Sequence, residues 1–255
     1  MITGRRGVLT ALAVTALAVT ALTVMGTGNL CAQVKAAKPL NIVVYGGSGN
    51  IGSRIVNEAA ARGHQVTVVD RSPKAELAPK GVKLVTGDAL DPKDILKNSS
   101  GADVVISSVV VRPAPTPDFA LRVVKSFVEA LQAQTGPKKT RLMVVGGASS
   151  LYNAEGKRII DTFGPNVPPA MQGEVKSAVD SLDYLRTVNN ISWTFFSPAG
   201  NIRPGTRTGK FRLGTETLVV DEKGQSAISM EDYAVAMVDE IERPQHVNGR
   251  FTVGY

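Results

Sequence analysis

Residues 40–70 read LNIVVYGGSGNIGSRIVNEAAARGHQVTVVD. An apolar run, Leu40–Tyr45, stops at a glycine-rich heptapeptide, Gly46-Gly47-Ser48-Gly49-Asn50-Ile51-Gly52. A helical pattern covers Ser53–Arg62. A second β-branched run, Gln65–Val69, ends at Asp70-Arg71. Strand, glycine turn, helix, strand is the unit that grips a dinucleotide. The glycines satisfy two spacings: Gly47, Gly49 and Gly52 give G-x-G-x-x-G, and Gly46, Gly49 and Gly52 give G-x-x-G-x-x-G. Either register meets one physical demand. A glycine makes the tight turn, another lets backbone approach a pyrophosphate, and a third lets helix and strand pack closely. Unpaired N–H groups and the dipole at the front of a helix beginning near Ser53 favour the anion.

Outward from this unit, strands and helices alternate. Val82–Val85 reads as a strand ending in Thr86-Gly87-Asp88-Ala89, and Asp91–Asn98 as a short helix with an Asp cap. Ala102–Ser107 is a buried strand ending in Ser107-Ser108. Val109–Pro117 holds three prolines and reads as loop. Apolar residues at helical spacing mark Asp118–Gln134. Arg141–Val145 is a strand ending in Gly146-Gly147-Ala148-Ser149-Ser150. Glu174–Val188 reads as a helix and Ile191–Phe196 as a strand ending at Ser197-Pro198-Ala199-Gly200. The pattern predicts an α/β fold with a doubly wound parallel sheet, in which ligands lie beyond the carboxyl ends of the strands. Gly46–Gly52, Asp70-Arg71, Asp88-Ala89, Ser107-Ser108, Gly146–Ser150 and Ser197–Gly200 are expected to converge there. The tail predicts a small hairpin or paired extensions from Gly205–Leu213 and Leu218–Val220, a helix over Met230–Ile241 capped by Ser229, and a last strand, Arg250–Val253.

The first 32 residues differ from the rest. Arg5 and Arg6 precede an apolar stretch, Val8–Met25, and small and polar residues follow. That is the layout of a signal peptide over residues 1–32. Residues 33–38 then form a linker, and residues 39–255 one domain whose tail builds the substrate side. The stretch is also long enough for an uncleaved single-span anchor. Arg5-Arg6 ahead of a mildly apolar run resembles a twin-arginine signal, with the general secretory route an equal alternative. The expected location is periplasmic or secreted, with membrane anchoring the alternative. Cys31, the only cysteine, falls in this leader, so the domain carries no disulfide. Gly28-Asn29-Leu30 is a poor match to the small-residue box of a lipid-attachment cysteine.

The chain of 255 residues has 29 Lys+Arg against 22 Asp+Glu, a net charge of +7. The basic residues are scattered, with Lys138, Lys139 and Arg141 the one tight group, which points to a solvated face and not a nucleic-acid surface. His64 and His246 have no metal-ligand neighbours at useful spacing, so no metal centre is expected. His64, just before the second strand, reads as structural.

GGSGNIG, GDALD, ADVVISSV, VVGGASSLY, WTFFSPAG, RTGKFRLG and ISMEDYAVAMVDEIE together resemble the atypical short-chain dehydrogenase/reductase family. More narrowly, they resemble its NAD(P)H-binding, NmrA-like and flavin or biliverdin reductase-like branch. The likeness covers Pro39–Tyr255. It implies an NAD(P)-binding Rossmann fold. It implies that Ser48, Asn50 and Ile51 line the phosphates with Gly46, Gly47, Gly49 and Gly52, and that Gly146 lies along the same cofactor. Arg71 matches an arginine that implies NADP, since a guanidinium pairs well with a 2′-phosphate. Asp70 departs from the usual apolar residue and favours the free 2′-hydroxyl of NAD. Asp88 and Ala89 resemble the pair flanking adenine; Ser107 and Ser108 would lie along the middle of the cofactor, and Ser197 and Pro198 near the nicotinamide.

Orthodox members use Tyr-x-x-x-Lys, the lysine lowering the tyrosine pKa for proton transfer. Here Lys176 fits the lysine, but Gln172 stands at the tyrosine position. Lys176 is left to hold the nicotinamide ribose or to be a surface lysine. Tyr152, after Ser149-Ser150, is the substitute proton donor, or packing. Two functions follow. One is a reductase passing hydride from NAD(P)H to a flavin, quinone or conjugated carbonyl, acceptors that take their proton from solvent. The other is a non-catalytic NmrA-like sensor of nicotinamide nucleotides. A sugar-nucleotide epimerase needs the missing tyrosine. A monomer or homodimer is expected, with a small-molecule acceptor as partner and the membrane a partner only of an uncleaved leader.

Overall fold

The computed structural model describes residues 38–163 and 169–255. The expected signal peptide, with Arg5, Arg6 and Cys31, and all of the linker but Lys38 lie outside the described residues. Chain order is β1 (Asn41–Tyr45), α1 (Asn50–Ala61), β2 (Gln65–Asp70), β3 (Lys83–Thr86), α2 (Pro92–Ser99), β4 (Val104–Ser107), α3 (Phe119–Gln132) and β5 (Arg141–Val145). It continues with α4 (Ile159–Thr162), α5 (Pro169–Leu185), β6 (Trp193–Ser197), β7 (Asn201–Arg203), β8 (Arg212–Gly214), β9 (Ala227–Ser229), α6 (Met230–Glu242) and β10 (Gly249–Gly254). Eight strands form one sheet in the order β3-β2-β1-β4-β5-β6-β10-β8. All neighbours are parallel except β10 and β8. The order reverses between β1 and β4, which opens the crevice where such sheets take ligands.

Alternation along each strand feeds two cores. Ile42 and Val44 of β1 join Ile55, Val56 and Ala59 of α1 and Tyr233, Met237 and Ile241 of α6 on one face. Val43 and Tyr45 point the other way, to Ile95 of α2, Val124, Phe127 and Val128 of α3 and Leu182 of α5. Each large apolar side chain so buried contributes about 1.5–3 kcal/mol. His64 is a structural group. Leu40 N–H donates to its Nδ1 (3.3 Å), and its Nε2 lies 3.0 Å from Glu242.

Three local expectations are corrected. Helix α1 starts at Asn50, three residues before Ser53, because Asn50, Ile51 and Gly52 are its first turn and not loop. Helix α5 already runs at Pro169, ahead of Glu174. The tail makes no hairpin. Arg212–Gly214 pairs antiparallel with Thr252–Gly254 of β10, while Leu218 N–H donates to Tyr152 O (2.9 Å). Covering the outer edge of β10 takes precedence over the local turn. Strands β7 and β9 form a separate parallel pair that the sequence reading did not contain.

Candidate functional site

The site begins where β1 stops. Gly46 adopts φ +77°, and a Cβ there would lie 2.4 Å from the carbonyl oxygen of Ser108. A Cβ on Gly52 would lie 2.1 Å from Gly46 O. The turn and the first helical turn are therefore held backbone to backbone, which only glycine permits. Gly46 N–H donates to Val69 O (3.1 Å) and Gly49 N–H to Gly46 O (3.0 Å). Gly47 rests on β2, where a Cβ would meet Val68 at 2.7 Å. Gly49 flanks α1 with extended backbone, no side chain caps the helix, and its first turn has no acidic residue. The first N–H groups of a helix have no intrahelical acceptor, and here none is covered by a capping side chain.

A cleft of about 220 Å³ opens in front of this turn. Gly46, Gly49, Asp70, Arg71, Asp88, Ala89 and Ser108 line it, so seven of the residues singled out in the sequence meet. The opposite wall is apolar: Leu90, Val109, Val110, Val111 and Phe119, with Tyr45 behind. Sequence reading missed that wall, although three consecutive valines after Ser108 in a proline-marked loop are its signal. The floor is fixed by Asp94, whose carboxylate accepts from Asp88 N–H (2.8 Å) and from Asn98 (3.1 Å). Asn98 also donates to the Tyr45 hydroxyl (3.3 Å). Burial, with Asp94 nearby, lifts the Tyr45 phenol above its ordinary range, so it stays neutral.

The segment after β2 wraps the glycine turn from the other side. Ser48 N–H donates to Asp70 Oδ2 (2.8 Å), and Lys74 N–H donates to Ser48 Oγ (3.3 Å). Ser48 is thus held by residues 70–74, whereas Asn50, Ile51 and Gly52 start the helix. Ser107 is buried as the last residue of β4. Gly146 follows β5, where a Cβ would meet the Phe195 ring at 2.1 Å. Ser197 closes β6 and Pro198 follows it. These residues share the carboxyl edge but do not line the cleft described above.

The three catalytic candidates each have their own local partners. Tyr152 receives a hydrogen bond from Arg158 Nε at its hydroxyl (3.4 Å), and Arg158 is forked onto Asp183 (2.7 and 2.9 Å). Asp183 lies two residues from the end of α5 that leads toward the amino end of β6. Seven residues separate it from Lys176, about 10 Å of helix. Lys176 itself is exposed and bonded to both oxygens of Asp180 (2.8 and 2.6 Å). Ser149 is buried in the turn after β5, beside Gly147 and Ala178 of α5. Tyr152 N–H donates to Glu216 O and Tyr152 O accepts from Leu218 N–H (2.9 Å each), with Arg250 near the ring (6.0 Å).

A nicotinamide dinucleotide fits what is present. Gly46 and Gly49 present bare backbone to the cleft. The Ser108 hydroxyl, at the cleft, is buried without a hydrogen-bond partner among the described residues. A family model described as NAD(P)H-binding matches residues 46–244. The uncharacterized protein YwnB of Bacillus subtilis (strain 168) is 35% identical over 224 residues, 84% of this chain and 98% of its own. A crystal structure of a Burkholderia pseudomallei protein, provisionally described as exported, shares 41% identity and a TM-score of 0.74. It covers 85% of this chain and 100% of that one. A protein of Streptococcus pneumoniae TIGR4, provisionally described as an NADH-flavin reductase, shares 35% identity over 84% of this chain and 99% of that one, with a TM-score of 0.71. The chain belongs to the NAD(P)H-binding family, of the atypical short-chain dehydrogenase/reductase type with a Rossmann-like fold. Among the described residues no helix is long and apolar enough to cross a membrane.

Proposed function

We propose that the protein is an NADPH-dependent reductase of a small acceptor: a flavin, a quinone or a conjugated carbonyl. The observation that carries this is the uncapped, glycine-hinged first turn of α1 at a cleft whose rim holds Arg71. Amides of Asn50, Ile51 and Gly52 take the diphosphate, where N–H groups and dipole favour negative charge. Arg71 pairs with the 2′-phosphate as a planar fork. Asp88 and Ala89 face the adenine, with Leu90, Val109 and Val110 against it. The orphaned Ser108 hydroxyl reaches the central part of the cofactor, and Ser107 backs it within the sheet. Gly146, Ser197 and Pro198 border the nicotinamide end. The bound nicotinamide supplies a hydride. The chain's own task is to orient it, and acceptors of this class draw their proton from solvent, so the Tyr-x-x-x-Lys pair, with Gln172 at the tyrosine position, is not required. The Streptococcus pneumoniae relative, which carries a flavin-reductase description, supports the acceptor class.

A second reading is favoured by Gln172 at the tyrosine position: a nucleotide sensor of NmrA-like type without turnover. Steady-state NADPH oxidation with a panel of flavins and quinones separates the two. Turnover that rises with acceptor concentration supports the reductase. Tight binding with no turnover on any acceptor supports the sensor. We also propose export, from Arg5-Arg6 before an apolar run and from the description of the Burkholderia pseudomallei relative. Free nicotinamide nucleotides are scarce outside the cytoplasm. Protein recovered from an exported fraction is therefore expected to carry nucleotide, read as adenine absorbance released on denaturation. A nucleotide-free exported form that binds none on addition would contradict this. We propose a monomer or homodimer, which sedimentation checks.

A further inference from the structure

We infer that Asp70 is the anchor of the glycine turn, a positioning residue, and not the group that reads the adenosine ribose. The inference rests on the nucleotide reading above. A carboxylate at the end of β2 is ordinarily expected to take a ribose hydroxyl. Here its Oδ2 accepts from Ser48 N–H at 2.8 Å, a charge-assisted bond into the middle of the turn. The same segment returns a second bond, from Lys74 N–H to Ser48 Oγ at 3.3 Å. Ser48 is held at its amide and at its hydroxyl by that one segment, and through it the turn between Gly46 and Gly49 is fixed on the edge of β2. The neighbouring Arg71 is exposed and lines the cleft. The division of labour is then clear. Asp70 holds the turn in the shape that any dinucleotide needs, and Arg71 alone discriminates the phosphorylated ribose.

An anchor and a reader differ in what they change. Loss of an anchor weakens NADPH and NADH alike, because both present the same diphosphate to the turn. Loss of a ribose reader weakens NADH selectively. Asp70→Ala and Asp70→Asn separate the roles, since an asparagine oxygen still accepts from Ser48 N–H but carries no charge. We expect Asp70→Ala to weaken both nucleotides by a similar factor, about tenfold. We expect Asp70→Asn to recover most of that loss for both. Selective NADH loss in either variant, an unchanged Asp70→Ala, or no recovery in Asp70→Asn would overturn the anchor. Hydrogen exchange at the Ser48 amide reads the same bond without nucleotide. Protection is expected in the wild type and Asp70→Asn, and its loss in Asp70→Ala. Were the wild type to bind neither nucleotide, the cofactor reading would fall while this exchange pattern still decided the role of Asp70; protection unaffected by Asp70→Ala would end the proposal.

Discussion

Gly52 shows how far one residue sets the site. Its hydrogen stands where a methyl group would meet Gly46 O at 2.1 Å, and the nearest atoms are backbone that cannot rotate aside. Gly52→Ala must push the turn off the helix. We expect nucleotide affinity to fall at least tenfold and Tm to drop by several degrees, with overpacking costing about 1–3 kcal/mol. Isothermal titration and a melting curve check this; unchanged binding would mean that the turn is not the seat of the diphosphate. Arg71 works differently, since it is exposed and carries no fold contact that the site depends on. A charge-assisted bond is worth about 1.5–3 kcal/mol. Arg71→Ala is therefore expected to weaken NADPH roughly ten- to a hundredfold, leave NADH within threefold, and not move Tm.

Elements hold the other side of the molecule through buried carboxylates. Ser229 caps α6 by accepting from Asp232 N–H (3.0 Å). The Asp232 side chain does not bond back to Ser229 N–H, which donates to the Tyr255 hydroxyl (3.2 Å). It instead accepts from the N–H groups of Thr208 and Gly209 (2.8 Å each), from the Thr208 hydroxyl (2.5 Å) and from the Tyr255 hydroxyl (2.8 Å). One carboxylate thus ties the loop before β8 and the end of β10 to the front of α6. Burial pushes its pKa up, but the four donors outweigh it and hold it below the usual carboxylate range. Glu240 is likewise lowered, burial being outweighed by His246, Gln245 and Arg141. A group lowered in the folded state stabilises fully above its unfolded pKa, and that contribution is lost as pH falls through the folded value. Stability is therefore expected to decline below about pH 4, where carboxylates ordinarily titrate. Asp232→Asn, which cannot accept all four bonds, is expected to lower Tm at pH 7 by roughly 5–15 °C and to flatten the acid limb. Thermal melts across pH check both; an acid limb as steep in the variant would remove Asp232 from the account.

At the scale of the whole molecule, the sheet was legible because its signals are local. β-branched runs bounded by glycine gave β1, β2, β4 and β5 within about two residues, and one glycine heptapeptide placed the cleft. The alternation of buried faces follows from the same runs. What sequence could not show lies in contacts between distant residues. Residues 201–203 pair with 227–229 across a long loop, and β8 covers the edge of β10 almost forty residues later in the chain. The clasp on Ser48 joins positions 22 and 26 residues apart. The partners of Tyr152 are of the same kind, since its position after Ser149-Ser150 does not reveal that its hydroxyl meets Arg158, itself paired with Asp183 of α5. The turn and the Asp70-Arg71 edge of the cleft thus sit in one continuous β-α-β stretch. The rest of its lining, Gly87–Leu90, Ser108–Val111 and Phe119, comes from separate segments that no single motif announces.

The central claim is that a nicotinamide dinucleotide docks its diphosphate on the amides opening α1. Calorimetric titration of the purified protein with NADPH and NADH, beside Gly52→Ala and Arg71→Ala, tests it most directly. The account predicts saturable one-site binding, tighter for NADPH, abolished or at least tenfold weaker in Gly52→Ala, and shifted toward NADH in Arg71→Ala. A folded protein that takes up neither nucleotide at millimolar concentration, or binds both equally well in Gly52→Ala, would contradict it.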